Sequence, residues 1–202
     1  MSREEIILIG AGGHCRSCID VIEQEGRFDI GGLVERPNVP ERSLHLGYPV
    51  IGTDKDLRRL RERFSYALVT VGQIKTSETR VRLYDELLSL GFDLPTIVSP
   101  YAYVSPHSRV GLGTIVMHQA LINAGAMVGA NCIINSKVLV EHDATIGDHC
   151  HLSTGVIING QTVVGKESFI GSNSVCKEGL VLREKSIIRF DSRVPGSGDQ
   201  TK

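Results

Sequence analysis

Two groups of residues in this 202-residue chain carry chemistry. In the first, Glu141-His142-Asp143 is followed within eight residues by His149 and His151 and preceded by Asn135. A histidine titrates near neutrality and can take a proton from an attacking amine or hydroxyl. A carboxylate beside it can orient the ring and raise its basicity. In the second group, Gly10-Ala11-Gly12-Gly13-His14 follows the apolar run Ile6–Ile9 and opens a segment patterned as a helix through about Gln24. Glycines at a helix start let a phosphate approach backbone N–H groups. Cys15 stands where a dinucleotide fingerprint has its third glycine, so the turn suits a mononucleotide diphosphate better. Its plainer reading is a tight turn, with His14 as a polar helix cap.

The histidine cluster lies in a repeat that must position it. Every sixth residue from Val104 to Val194 is aliphatic apart from Cys176, sixteen positions without a slip in register. The fifth residue of each hexad is mostly small, as in Ala120, Ala126, Cys132, Ala144 and Cys150. Such a pattern is a β-solenoid of short parallel strands, three hexads to a triangular coil. First and fifth residues point inward, and residues eighteen apart stack at roughly 4.8 Å. His142 and Asp143, third and fourth in their hexad, fall at an exposed corner. Sixth positions point outward from the flat faces, and most are apolar, including Ile115, Leu121, Met127, Ile133, Leu139, Ile157, Val163 and Phe169. Outward apolar rows predict association between solenoids, with His151, also sixth in its hexad, inside a subunit interface.

Residues 1–98 alternate strands and helices and predict a Rossmann-like parallel sheet: strands at Ile6–Ile9, Ile30–Val34, Tyr66–Val71 and Leu94–Val98, helices to Gln24, over Leu57–Phe64 and over Ser77–Leu90. Ser99-Pro100 marks the boundary, giving domains 1–98 and 99–202. Twenty-two Lys and Arg against 23 Asp and Glu leave a net charge of −1, which speaks against nucleic acid or an anionic membrane as the main partner. No apolar run reaches the ~20 residues of a membrane span, and the first residues do not read as a signal peptide. Five cysteines point to a reducing, cytoplasmic setting. Cys15-Arg-Ser-Cys18 at a helix start could be redox-active, or simply small residues for packing.

Taken together, Gly10-x-Gly-Gly-His14, the hexad array and Asn135…Glu141-His142-Asp143…His151 resemble the left-handed β-helix (hexapeptide-repeat) sugar acetyltransferases, the family of bacillosamine and perosamine N-acetyltransferases and sialic acid O-acetyltransferases. The resemblance supplies the left hand of the coil, which the crossover rule would predict wrongly. It implies an acetyl-CoA-dependent transfer to the amino group of a nucleotide-linked amino sugar in a homotrimer, with no metal. His142 then matches the catalytic base and Asp143 its carboxylate. Asn135, His151, Gly160 and Ser172 fall at coenzyme-binding positions, Gly160 with an N–H near the thioester carbonyl. Gly12, Gly13 and His14 match the acceptor-binding turn. Glu35-Arg36 stands where many relatives carry Asp-Asp after the second strand, and Ile188-Arg-Phe190-Asp replaces a Gly/Ala-rich run in the last coil. Two alternatives compete: O-acetylation of a sialic-type sugar, and a γ-carbonic-anhydrase-like metalloenzyme using His118, His142, His149 and His151. No two of those histidines are eighteen apart, as stacked ligands would require.

Overall fold

A computed structural model describes residues 3–36 and 44–195. Its first part is a five-stranded sheet built from β1 (Glu4–Ile9), β2 (Phe28–Val34), β3 (Leu44–His45), β4 (Tyr48–Gly52) and β5 (Tyr66–Val69), in the order β3-β4-β2-β1-β5. All neighbours pair in parallel except β3 with β4. The sequence pattern missed that β3–β4 edge. The continuous apolar run of β1 fits a strand covered on both faces. One face meets α1 (Gly13–Glu25) through Cys15, Cys18, Ile19 and Ile22. The other meets α2 (Leu57–Arg61) and α3 (Glu78–Ser89) through Leu57, Leu60, Leu83 and Leu87.

From Ile97 onward the chain forms a parallel β-helix of two-residue rungs in three sheets, each residue pairing with the one eighteen further on. First and fifth residues, among them Val140, Ala144, Ile146, Cys150 and Leu152, fill one continuous core. The corner geometry repeats without exception: every sixth residue from Gly113 to Asp191 has positive φ, glycine at four corners and Asn, Asp, Gln, Glu, Lys or His at the others. Asp143 is one of these left-handed residues, with φ 58°, a conformation that Asn and Asp tolerate better than most.

Two expectations need correction. Ile97–Val98 is the first rung of the solenoid, paired with Ile115–Val116, rather than a last strand of the α/β sheet. Two apolar residues satisfy either environment, so their pattern could not decide. More consequentially, the three outward rows have different fates. The row Ile97, Ile115, Ile133 is fully buried against α1 and the α/β sheet of the same chain. His151, next in that row, is buried by the same chain's loops and not by a partner. The rows carrying Met127, Val163 and Val181, and Tyr103 with half-buried Leu121, Leu139 and Ile157, remain open, as does the far end of the first row at Ile187.

Candidate active site

The loops after β1, β2 and β5 emerge side by side at the carboxyl ends of neighbouring parallel strands. The chain winds from β1 outward to β2 and β4 and returns on the opposite side of β1 as β5. Open α/β sheets bind ligands at such a reversal. Here the crevice is roofed by the solenoid, giving a cavity of about 880 Å³ lined by Gly12, Gly13, His14, Glu35, Arg36 and Gln73 on one wall and by Asn135, Ser136, His151 and Thr154 on the other.

The glycine turn is held by its neighbours. Gly10 has φ 109° and donates to the Val34 carbonyl at 2.7 Å, while the Thr70 hydroxyl donates to the Gly10 carbonyl at 2.6 Å. A Cβ at Gly10 would lie 2.6 Å from Val71 Cγ2, so only glycine fits. At Gly12 and Gly13, by contrast, an added Cβ would meet nothing within 4 Å. Those two glycines face open space, and α1 begins there without a side-chain cap and without an acidic residue in its first turn. Uncapped N–H groups of this kind suit an anion.

Glu35 lines the cavity, yet its carboxylate is committed to the protein. Oε2 accepts from the Ala11 N–H at 2.6 Å and Oε1 from the Arg36 N–H at 3.1 Å. Glu35 thus anchors the glycine turn to the end of β2, and Arg36 extends beyond it, highly exposed.

On the solenoid wall, the His151 Nδ1–H donates to the Gln73 carbonyl at 2.5 Å, which leaves Nε2 as an acceptor facing Asn135 Nδ2 at 3.5 Å. Asn135 is oriented by its Oδ1, which accepts from the Ser136 N–H at 2.8 Å. Burial pushes His151 down to about 4, the Gln73 carbonyl opposing and the nearby Arg80 charge assisting. His14 lies across the cavity with ring centroids 6.4 Å apart, and burial, then Arg80 and His151, push it down to about 3. Both imidazoles are therefore neutral near pH 7. Gln73 had no motif to announce it, because its contribution is a backbone carbonyl.

His142 and Asp143 are elsewhere, on the next corner around the coil and open to solvent. The His142 Nδ1–H donates to Asp143 Oδ2 at 2.9 Å, leaving Nε2 as a free base. That hydrogen bond is the main cause that raises the His142 pKa above its ordinary value. Glu141 fixes the backbone beneath, accepting from the His142 N–H at 3.1 Å and from Asn123 Nδ2 at 2.9 Å. Gly160 sits one coil on, so close that a Cβ there would lie 2.7 Å from His142 Nε2. Ser172 belongs to the cavity's own corner, one rung beyond Thr154, with its hydroxyl 2.9 Å from that of Ser153. The structure thus gathers seven of the predicted residues round one cavity, holds His142, Asp143 and Gly160 at a second corner, and leaves Ser172 on the edge leading away from the cavity.

The other histidines and cysteines have packing roles. His118 bridges Asp20 and Ser99, at 2.7 and 2.6 Å, tying α1 to the first coil. His149 accepts from Asn131 and meets Tyr84 edge-on. The four histidines considered as zinc ligands thus occupy four separate environments. Cys15 and Cys18 are fully buried, and burial pushes the Cys15 thiol up to about 11 and Cys18 higher still, the reverse of a redox-active pair.

Comparison with known proteins follows this division. The PglD N-terminal domain family matches residues 5–87, and the hexapeptide repeat of succinyl-transferase matches residues 161–189. PerB from Caulobacter crescentus, solved with CoA and GDP-perosamine, is 30% identical over 96% of this chain and 91% of its own, with a TM-score of 0.84. The acetyltransferase domain of PglB from Neisseria gonorrhoeae FA1090, solved with acetyl coenzyme A, is 28% identical over 94% of this chain and 93% of its own, with a TM-score of 0.81. A His-to-Asn variant of the perosamine N-acetyltransferase from Caulobacter crescentus, with CoA and GDP-perosamine, superimposes with a TM-score of 0.68 at 28% identity over 92% and 90% of the two chains. No curated protein sequence matches the chain. Among the described residues no helix is long and apolar enough to cross a membrane. With an α/β turn and a hexad solenoid enclosing one cavity, and near-full-length likeness to these enzymes, the chain belongs to the left-handed β-helix sugar acetyltransferases.

Proposed function

We propose that the protein is a cytoplasmic acetyl-CoA-dependent N-acetyltransferase acting on a nucleotide-linked amino sugar, and that its working form is a homotrimer. The observation that carries this reading is the cavity in which the Gly12–His14 turn faces Asn135 and His151. The turn offers N–H groups for a diphosphate. Across from it, the solenoid offers neutral polar groups for an acetyl thioester. On this reading the α/β part holds the nucleotide sugar and the solenoid from Ile97 onward holds the coenzyme, and the site needs both.

Within one chain that cavity has no exposed base. His14 is half-buried with Nε2 against Cys18 Sγ, His151 is buried, and the free Nε2 belongs to His142 on the neighbouring corner. A second copy packed through the open apolar rows would bring its own His142-Asp143 corner to this cavity, with Gly160 beside it. The amine nitrogen then attacks the thioester carbonyl while His142 Nε2 takes its proton and Asp143 steadies the imidazolium. The C–S bond breaks and the thiol of CoA leaves. A backbone N–H at Gly160 would meet the developing oxyanion, and Asn135, His151 and Ser172 would hold the coenzyme. Transfer is direct, because Cys132, Cys150 and Cys176 are wholly buried in the solenoid core.

The test is a thiol-release assay with acetyl-CoA against UDP-, GDP-, dTDP- and CMP-linked amino sugars, with free sialic acid included. Release with none of the nucleotide-linked sugars would overturn the reading. Assembly is tested separately. Burial of the open rows at about 25 cal/mol per Å² should yield a trimer in sedimentation equilibrium, and a stable monomer at micromolar concentration would contradict a shared site.

Asp143→Asn should change the pH profile in a defined direction. A protonated His142 cannot accept a proton, so kcat/KM falls as pH drops through its pKa. Because Asp143 raises that pKa, the acid limb of the wild type lies above that of an ordinary histidine, and Asn should move it to lower pH while lowering the plateau. A limb that stays in place would show that the carboxylate does not act on the base.

A further inference from the structure

Arg80, on α3, is the only Lys, Arg, Asp or Glu side chain that is buried among the described residues. No carboxylate among those residues lies within ion-pair distance of it. Its partners are neutral oxygens. Nη1 donates to the carbonyls of Val69 and Val71 at 2.9 and 2.8 Å, and Nη2 to Asn131 O and Oδ1 at 3.1 and 2.7 Å. Nε has no partner. Burial lowers the group only to about 10, so it remains a cation at neutral pH.

A buried cation held by dipoles alone is an expensive arrangement, since carbonyls orient around the charge without cancelling it. Its location indicates what offsets the cost. Val69 and Val71 bracket the start of the loop that lines the cavity, and Thr79 and Leu83 on the same helix line it too. The charge is felt inside that space, where it acts against protonation of both His14 and His151. The low dielectric between them preserves the field that water would screen.

We infer that Arg80 is the buried counter-charge for the diphosphate of the nucleotide sugar, a positioning residue that sets the potential of the cavity without lining it. This rests on the nucleotide-sugar reading above. Its role differs from that of a brace: a brace would hold nucleoside and nucleoside diphosphate alike, whereas a counter-charge favours the diphosphate alone.

The experiment is isothermal titration of the full-length protein, wild type, Arg80→Lys and Arg80→Met, with UDP, GDP, dTDP and CDP and with the corresponding nucleosides. Arg80→Met should lose about tenfold or more in affinity for the diphosphate that binds the wild type, with nucleoside affinity unchanged. Arg80→Lys keeps the charge and forfeits most of the hydrogen bonds, so it should preserve the preference for diphosphate over nucleoside even at a lower melting temperature. Should the Met variant fail to fold, Arg80→Gln, which keeps amide donors and removes the charge, takes its place and should lose the same preference. A Met variant with the wild-type preference, or a Lys variant that has lost it, reduces Arg80 to a brace and overturns the inference while leaving the nucleotide-sugar reading intact. A wild type that binds none of the diphosphates removes that reading and the inference with it.

Discussion

His142→Ala should lower kcat by roughly 10²–10⁴-fold, the largest single effect expected in this protein. The imidazole is exposed, and its lone pair is defined by the structure: Nδ1–H is committed to Asp143, so Nε2 must be the acceptor. Removing it takes away the proton acceptor and should leave fold and cavity intact, because the side chain is solvent-facing, beside Gly160 and hydrogen-bonded only to Asp143 of its own corner. KM values and melting temperature should therefore stay near those of the wild type. Cys150→Ala is the matched control. Its thiol is fully buried and should be dispensable for turnover. Initial-rate kinetics together with mass spectrometry of enzyme mixed with acetyl-CoA alone would check both arms. Near wild-type turnover in His142→Ala, or a kinetically competent acetyl-enzyme, would remove the direct mechanism.

The second large effect concerns the acceptor. A free amino sugar should have a kcat/KM lower by about 10³-fold or more than its nucleotide-linked form. The cavity devotes one whole wall to groups that a bare sugar cannot use: the uncapped start of α1 at Gly12 and Gly13, and the turn that Glu35 holds in place. Binding energy gathered there is remote from the reacting amine and serves to orient it. Comparable kcat/KM for the two substrates, measured with the same amine, would contradict the division of labour between the α/β part and the solenoid.

The solenoid was legible because its constraints are local and repeated. Each hexad needs an inward aliphatic, a small inward residue four places on, and a corner residue that accepts positive φ; Asp143 and His149 show that corner chemistry as plainly as Gly155 does. The glycine turn was legible for the same reason, since Gly10 answers to one backbone requirement. What the sequence left open were matters of which surface meets which. An apolar sixth position looks the same whether α1 covers it, as at Ile133, or nothing in the chain does, as at Met127. For that reason His151 was expected at a subunit interface and is found beneath Gln73 of its own chain. Glu35 could be read as a ligand contact because nothing local reveals that its carboxylate serves Ala11, twenty-four residues earlier. Arg80 was invisible for a related reason: among the many arginines of α2 and α3 its type is unremarkable, and only tertiary packing withdraws it from water.

The eighteen-residue interval between paired rungs also bears on how the molecule forms and on how it avoids its own copies. Each new coil closes a loop of the same short length, so the entropic cost per rung is constant and modest. Contacts between nearest coils let the structure grow outward from the first rung, Ile97–Val98 on Ile115–Val116, which the α/β part already holds against α1. Growth by addition leaves an unpaired strand edge at its tip at every stage, and among the described residues the last rungs, Val181–Leu182, Ile187–Ile188 and Arg193–Val194, present such an edge, one that could accept another solenoid end to end. That tip is where charge is concentrated: Arg183, Glu184, Lys185, Arg189, Asp191 and Arg193 all fall in the final coil. Pairing two such ends would require withdrawing these charges from water, which is costly. The coil that departs most from the Gly/Ala-rich pattern is thus also the one whose charges blunt edge-to-edge pairing of solenoids.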